Sequence, residues 1–326
     1  MQITFLVNDA TDIQPSQTTA MLISTAINQG HRVGITGVGD LSYQSEEKPC
    51  ARTRWIAEQG LSLSTLVITI AKTIAVEAPL TESNLLFIRT NPARDGARGA
   101  MHGFALNLAQ CCEDSGVRVV NRPQGLLQAA SKSYLLDLPG FTYPQSLVSQ
   151  HPEQIREFIR KLGGPAVLKP IQGTRGSDVF LISHSQDSNL NSIIDVILRQ
   201  GPAMVQRCIP GAEAGDTRVV VLNGDVLTLK GKPAAIQRVP KAGDFRSNIH
   251  AGGMAQPGKV TDAMHKVVAA IGPKLVRDGL FLVGLDFIDA QLVEINVFST
   301  GGLRDAEKFT HEPFAAAVMS ILSQSV

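Results

Sequence analysis

The chain has 326 residues, 44% of them hydrophobic and 18% charged, the composition of an ordinary globular protein. Its 30 Lys and Arg balance 29 Asp and Glu, so bulk charge makes no case for nucleic acid or an anionic membrane as partner, and any anion must be met by local groups. The length predicts two or three folding units, no apolar run approaches the ~20 residues of a membrane span, and Cys50, Cys111, Cys112 and Cys208 lack C-x-x-C spacing and demand no disulfide.

From MQITFLVND onward the chain enters a strand with no basic leader, so a cytoplasmic protein is expected. The first part alternates: a strand at 3–7, a helix at 16–29, strands at 32–36, 85–89 and 118–121, and a helix at 99–116 between the last two. Such alternation predicts a parallel sheet with helices on its faces. The glycines of GITGVGD, at 34–40, fit G-x-G-x-x-G poorly and open no clear helix, which argues against a dinucleotide loop.

After NRPQGLL the pattern changes to a short helix at 125–136, a Pro/Gly loop at 139–144 and a helix at 152–162. GGPAVLKPIQGTRGSDVFLIS then reads as a strand ending at Lys169-Pro170, a glycine-containing turn and a second strand at 179–183, followed by a helix at 190–200. Next come AMVQRCIPG and the hairpin DTRVVVLNGDVLTLK, whose Asn223-Gly224 is a type I′ turn signal. A polar loop at 238–253, a helix at 262–278, the hairpin VGLDFIDAQLVEINV and a terminal helix complete the chain.

That last hairpin places Asp286, Glu294 and Asn296 inside apolar runs. If a three-residue loop, 289–291, closes it, Asp286 faces Glu294, and Asn296 shares their face because side chains alternate with period two. Facing carboxylates repel, and a hard divalent cation such as Mg²⁺ between them would remove the conflict; a solvated hairpin face is the alternative. The turn QGTRGS offers Gly173, Gly176 and Ser177 as backbone donors toward an anion, with Lys169 beneath to neutralise a phosphate or, more blandly, to snorkel. The loop QRVPKAGDFRSNIHAGG concentrates Arg238, Lys241, Arg246 and Asn248, donors suited to phosphoryl and carboxylate oxygens. No G-x-S-x-G, H-E-x-x-H or spaced Cys/His cluster competes, and the seven histidines are scattered.

On GDTRVVVLNGD, RVPKAGDFRSNIHAGG and GLFLVGLDFIDAQLVEINV, the chain from about 119 to 304 resembles the bacterial glutathione synthetases of the ATP-grasp superfamily, and the first hundred residues resemble them more faintly. The resemblance implies an α/β chain, α+β in its nucleotide half. It would be an ATP-grasp fold preceded by an open parallel-sheet domain, divided as 1–122, 123–202 and 203–326, with ATP between the last two. Carried over residue by residue, Lys132 and Lys169 would contact the phosphates under the flap of Gly173, Gly176 and Ser177. Gln206 and Ile209, in VQRCI, would meet adenine, and Asp216 would lie toward the ribose. Asp286, Glu294 and Asn296 would hold Mg²⁺, with Mn²⁺ as a substitute, and Arg238, Arg246 and Asn248 would face the reacting centre. Arg89, Ser299 and Arg304 would line the acceptor side.

The implied reaction is amide formation from a small or peptide acid and an amino acid, through an acyl phosphate made at the expense of ATP, in a cytoplasmic homo-oligomer. Two departures bear on the acceptor: Asn91 stands where the family carries an acid, and Phe298-Ser299-Thr300 replaces its Thr-Ser-Pro. Alternatives are a RimK-like ligase that adds an amino acid to a protein or modified peptide, and a nucleotide-binding regulator without catalysis.

Overall fold

The computed structural model describes residues 1–43, 48–173, 178–241 and 253–324. Its first sheet is built from β1 (Gln2–Val7), β2 (Arg32–Gly37), β3 (Leu41–Ser42), β4 (Cys50–Ile56), β5 (Val76–Pro79), β6 (Leu85–Ile88) and β7 (Arg118–Val120). The strands run β3-β4-β2-β1-β6-β7, with β5 on the other edge of β4. Only β2, β1, β6 and β7 are parallel; β4 is antiparallel to β2, β3 and β5. The expected parallel sheet is thus formed by four strands and extended by an antiparallel margin. The cause is CARTRWI, whose Arg52, Arg54 and Trp55 disguise a strand in which Cys50, Ala51, Thr53 and Ile56 are buried.

The helices are α1 (Thr18–Asn28), α2 (Leu63–Lys72), α3 (Gly99–Asp114) and α4 (Pro123–Ala129). Ser62 caps α2 by accepting from the Thr65 amide at 3.1 Å, the usual use of a serine at that position. The helix expected at 125–136 is α4 followed by a 3₁₀ turn over Lys132–Asp137, the change falling at Ser131, whose hydroxyl accepts from the Ser133 amide.

A second, antiparallel sheet has the order β10-β9-β11-β8. It comprises β8 (Ser146–Ser149), β9 (Ala166–Pro170), β10 (Phe180–Ile182) and β11 (Ala203–Arg207), covered by α5 (Pro152–Leu162) and α6 (Leu190–Leu198). Helix α5 begins on Pro152, where a missing N–H costs nothing, ends on left-handed Gly163, and buries Ile155, Ile159 and Leu162 against the sheet. Because β11 pairs with both β8 and β9, a division at 202/203 would remove a strand from its own sheet, and we propose the boundary after Arg207 instead.

The third sheet, β17-β16-β12-β18-β19, is antiparallel. Its strands are β12 (Asp216–Leu222), the short β13 (Asp225–Val226) paired to β12, β16 (Ala235–Val239), β17 (Met254–Pro257), β18 (Leu282–Ile288) and β19 (Gln291–Asn296). A two-stranded ribbon of β14 (Thr228–Leu229) and β15 (Lys232–Pro233) interrupts it. The I′ turn is formed as expected, with Asn223 at φ 51° and Gly224 at φ 86°. Helix α7 (Asp262–Arg277) passes so close to it that a Cβ on Gly224 would meet the Gly272 carbonyl. The terminal helix is two, α8 (Leu303–Thr310) and α9 (Phe314–Gln324), parted at left-handed His311 and Pro313.

The first and third sheets share their cores. One cluster joins Phe5, Ile35 and Phe87 to Val220, Leu282, Phe314 and Met319, and another joins Leu86 and Leu106 to Leu285, Phe287 and Leu292. The second sheet keeps a core of its own around Ile155, Ile194 and Val205. None of the described helices is long and apolar enough to cross a membrane.

Candidate active site

Strand register builds the site. Asp216 pairs with Arg238, Arg218 with Asp286, and Asp286 with Glu294, across four adjacent strands. Direct partners share a face and so do residues two apart, so Arg238, Asp216, Arg218, Asp286, Glu294 and Asn296 form one polar row. The alternate residues Val219, Leu285 and Phe287 are buried in the core. The hairpin reaches this pairing by a route other than the three-residue loop expected. Ile288 pairs with Gln291 around a two-residue turn with Asp289 at φ 52°, and a bulge between Asp286 and Phe287 restores Asp286 opposite Glu294.

Asp286 lies at the sheet's centre, 1% exposed. Arg218 grips it with Nε on Oδ1 and Nη2 on Oδ2, both at 2.7 Å. Arg238 adds Nη2 on Oδ2 at 2.8 Å, and the Asn296 amide donates to Oδ2 at 3.1 Å. Burial alone would raise this carboxyl's pKa, but the two guanidiniums overcome it and hold it at about 2. Arg238, 5% exposed, also donates Nε to Asp216 Oδ1 at 2.6 Å. Burial pushes its pKa down while Asp286 and Asp216 more than reverse that, so it stays charged.

Asp216, expected toward a ribose, is engaged with Arg238, and Arg238, expected to face the reacting centre, sits in β16 and is paired with two buried carboxylates. Arg218 was missed altogether. The period-two spacing from Asp216 in DTRVVV was the signal that could have found it, but its partner lies on another strand.

Two lysines lean toward β19, Lys169 from β9 of the second sheet and Lys132 from the 3₁₀ turn after α4. Lys169, buried at the end of β9, donates to the Val293 carbonyl at 3.3 Å, the residue that the bulge leaves unpaired. Burial lowers its pKa to about 8 against the pull of Glu294. Lys132 Nζ stands 4.0 Å from Glu294 Oε1 and donates to the Gly173 carbonyl at 3.0 Å. Its pKa is likewise lowered by burial and partly restored by Glu294. Gln206 is inside β11, its backbone flanked by β8 and β9 and its amide donating to Ser146 Oγ at 3.0 Å, while Ile209 lies past the strand's end. Gly176, Ser177, Arg246 and Asn248 lie outside the described residues.

Of the acceptor-side residues, Arg89 and Ser299 lie on two segments hydrogen-bonded to each other. Arg89, 4% exposed, donates to Thr19 Oγ1 at 3.3 Å and to the Thr300 carbonyl at 2.8 Å, and among the described residues no carboxylate is within ion-pair distance of it. The Ser299 amide donates to the Thr90 carbonyl at 3.0 Å. Arg304 is exposed in the first turn of α8. Asn91 is bridged by Asn8, which accepts from its amide and donates to its carbonyl.

Among the described residues no group of three His, Cys, Asp or Glu is arranged around a metal position. The set of two facing carboxylates and an adjacent amide nevertheless fits a hard divalent cation, which takes few protein oxygens when phosphates supply the rest. The cysteines are packing residues: burial pushes the Cys112 thiol up to about 12.

The prokaryotic glutathione synthetase N-terminal domain model matches residues 1–126, and the prokaryotic glutathione synthetase ATP-grasp domain model matches 131–311. A glutathione synthetase of Synechococcus elongatus is 31% identical over 94% of this chain and 94% of its own. One from Gloeobacter violaceus is 33% identical over 93% and 90%. Among solved structures, the D-cycloserine synthetase DcsG covers 98% of this chain and 99% of its own at TM-score 0.65 and 16% identity. A RimK domain ATP-grasp protein from Sphaerobacter thermophilus covers 98% of each at 0.59 and 17%.

Proposed function

The chain belongs to the prokaryotic glutathione synthetase family, and from that premise we propose that it joins the carboxylate of γ-glutamylcysteine to the amine of glycine at the expense of ATP. It is an ATP-grasp ligase forming a carbon–nitrogen bond. The observation that carries the reading is the facing pair Asp286 and Glu294, with Lys169 of the second sheet and Lys132 of the 3₁₀ turn beside it.

In this reading Lys132 and Lys169 receive the nucleotide's phosphates, and their burial makes each charge count for more than it would in water. Asp286, Glu294 and Asn296 would hold the divalent cation, Mg²⁺ with Mn²⁺ as substitute, which would neutralise charge on the bridged phosphate oxygens. The acid's carboxylate attacks the γ-phosphorus, ADP departs, and the amine then displaces phosphate from the acyl phosphate, its proton passing to solvent. No nucleophile of the protein is consumed, so the chain's task is positioning and charge neutralisation. The setting proposed is a cytoplasmic homo-oligomer, checked by fractionation and light scattering.

The test is ADP release from purified protein with ATP, Mg²⁺ and a matrix of γ-glutamyl dipeptides and amino acids. Release that needs both γ-glutamylcysteine and glycine supports the proposal. Release only with a protein or longer peptide acceptor would replace it by the RimK-like alternative.

A further inference from the structure

Among the proposed metal ligands, Asp286 is the most heavily engaged, with four donors on its two oxygens. Its Oδ1 accepts from Arg218 Nε, and its Oδ2 accepts from Arg218 Nη2, Arg238 Nη2 and Asn296 Nδ2. A cation arriving there would compete with these donors for the carboxylate, and its two positive charges would repel a guanidinium held against the same oxygens. The two arginines are unequal in what they would lose. Arg238 also holds Asp216 at 2.6 Å and keeps a carboxylate whatever happens to Asp286. Arg218, among the described residues, makes its polar contacts to Asp286 alone.

The surroundings of Arg218 say where it would turn. Its side chain is 14% exposed, and its aliphatic stem packs beside Gly284 and Gly302. Gly302 closes the segment Ser299–Gly302, whose other contacts run to Thr90 and Arg89 of the first sheet. Arg218 thus stands between the metal carboxylate and the acceptor side. A planar guanidinium fork matches a carboxylate as well in a ligand as in an aspartate.

We propose that Arg218 positions Asp286 until a divalent cation takes that carboxylate, and that it then turns to the carboxylate of the acid substrate, making peptide-acid binding conditional on the loaded nucleotide site. The inference rests on the ligase reading above and adds the order of binding. Metal and acid are then coupled through one side chain, and the coupling is reciprocal.

Titration calorimetry of the full chain with γ-glutamylcysteine tests it, using a non-hydrolysable ATP analogue with either Mg²⁺ or EDTA. The wild type is expected to bind the peptide acid about tenfold more tightly with Mg²⁺, within the usual range of such couplings. In Arg218→Met this metal dependence should vanish. Asp286→Asn, which frees Arg218 without a metal, should bind in EDTA about as tightly as the wild type does in Mg²⁺. An Arg218→Met protein that keeps the metal dependence, or an Asp286→Asn protein as weak in EDTA as the wild type in EDTA, overturns the proposal. If Arg218→Met melts early, Asp286→Asn decides alone. No binding of γ-glutamylcysteine to the wild type under any condition removes the ligase reading and this inference with it.

Discussion

Asp286 and Glu294 face each other yet should answer substitution differently, because one is buried in an ion-pair network and the other is half-buried with its ion pair to Lys132 stretched to 4.0 Å. Asp286→Ala leaves Arg218 and Arg238 short of a carboxylate, and breaking a buried pair costs about 3–5 kcal/mol. Glu294→Gln keeps shape and loses only a weak pair, so stability should fall by less than about 1 kcal/mol while turnover is lost with one anionic ligand. Chemical denaturation and ADP release check both; wild-type turnover in Glu294→Gln would remove it from the metal set. Lys169 makes a pH prediction. Burial disfavours its charged form, so its pKa lies near 8 rather than at 10.5: below that pH the ammonium is present to meet phosphate, and above it the charge is lost. The kcat/KM for ATP should therefore decline above about pH 8, and Lys169→Arg, whose guanidinium stays charged, should move that limb upward. A decline left unmoved would assign it elsewhere. At this scale Asp286, Glu294 and Asn296 were legible because period-two spacing needs only local chain. Arg218 and the ion pairs of Arg238 were not, because each depends on a partner tens of residues away whose register no single strand encodes.

The hairpin of β18 and β19 shows how an element can be right in outcome and wrong in construction. A three-residue loop and a two-residue turn plus bulge both bring Asp286 opposite Glu294, so pattern alone could not tell them apart. The difference lies in the Val293 carbonyl, which the bulge turns toward Lys169, the kind of re-aiming that bulges near active sites perform. Deleting Val293 should regularise the ladder while keeping Asp286 opposite Glu294. The variant is expected to melt near the wild-type temperature and to need several-fold more ATP for half-maximal rate, since Lys169 loses the acceptor that orders it. An unchanged KM would show the bulge to be incidental. The missed strands β4 and β5 are a different failure: arginines and a tryptophan in β4 mask its alternation, and only its pairing with β2 and β5 reveals it.

Across the whole molecule, the first and third sheets are one body and the second is attached. Asn121, buried at the end of β7, donates to the Leu282 and Val297 carbonyls and accepts from the Leu282 amide. Removing it leaves buried groups unpaired at about 1–3 kcal/mol each. Asn121→Ala should therefore lower protection against hydrogen exchange in β1 and β18 together, while β9 and β11, which have their own core, are spared. Exchange that rises in β9 to the same degree would mean a single cooperative unit. The separation matters for the chemistry, because Lys132 and Lys169 ride toward the carboxylates on elements joined to the second sheet. A site that closes two lysines over two carboxylates meets charge on the terminal phosphate, so the products should be ADP and phosphate, with hydroxylamine trapping the acyl group when the amine is withheld. Stoichiometric AMP and pyrophosphate would require attack at the α-phosphorus and would refute this assignment of the lysines.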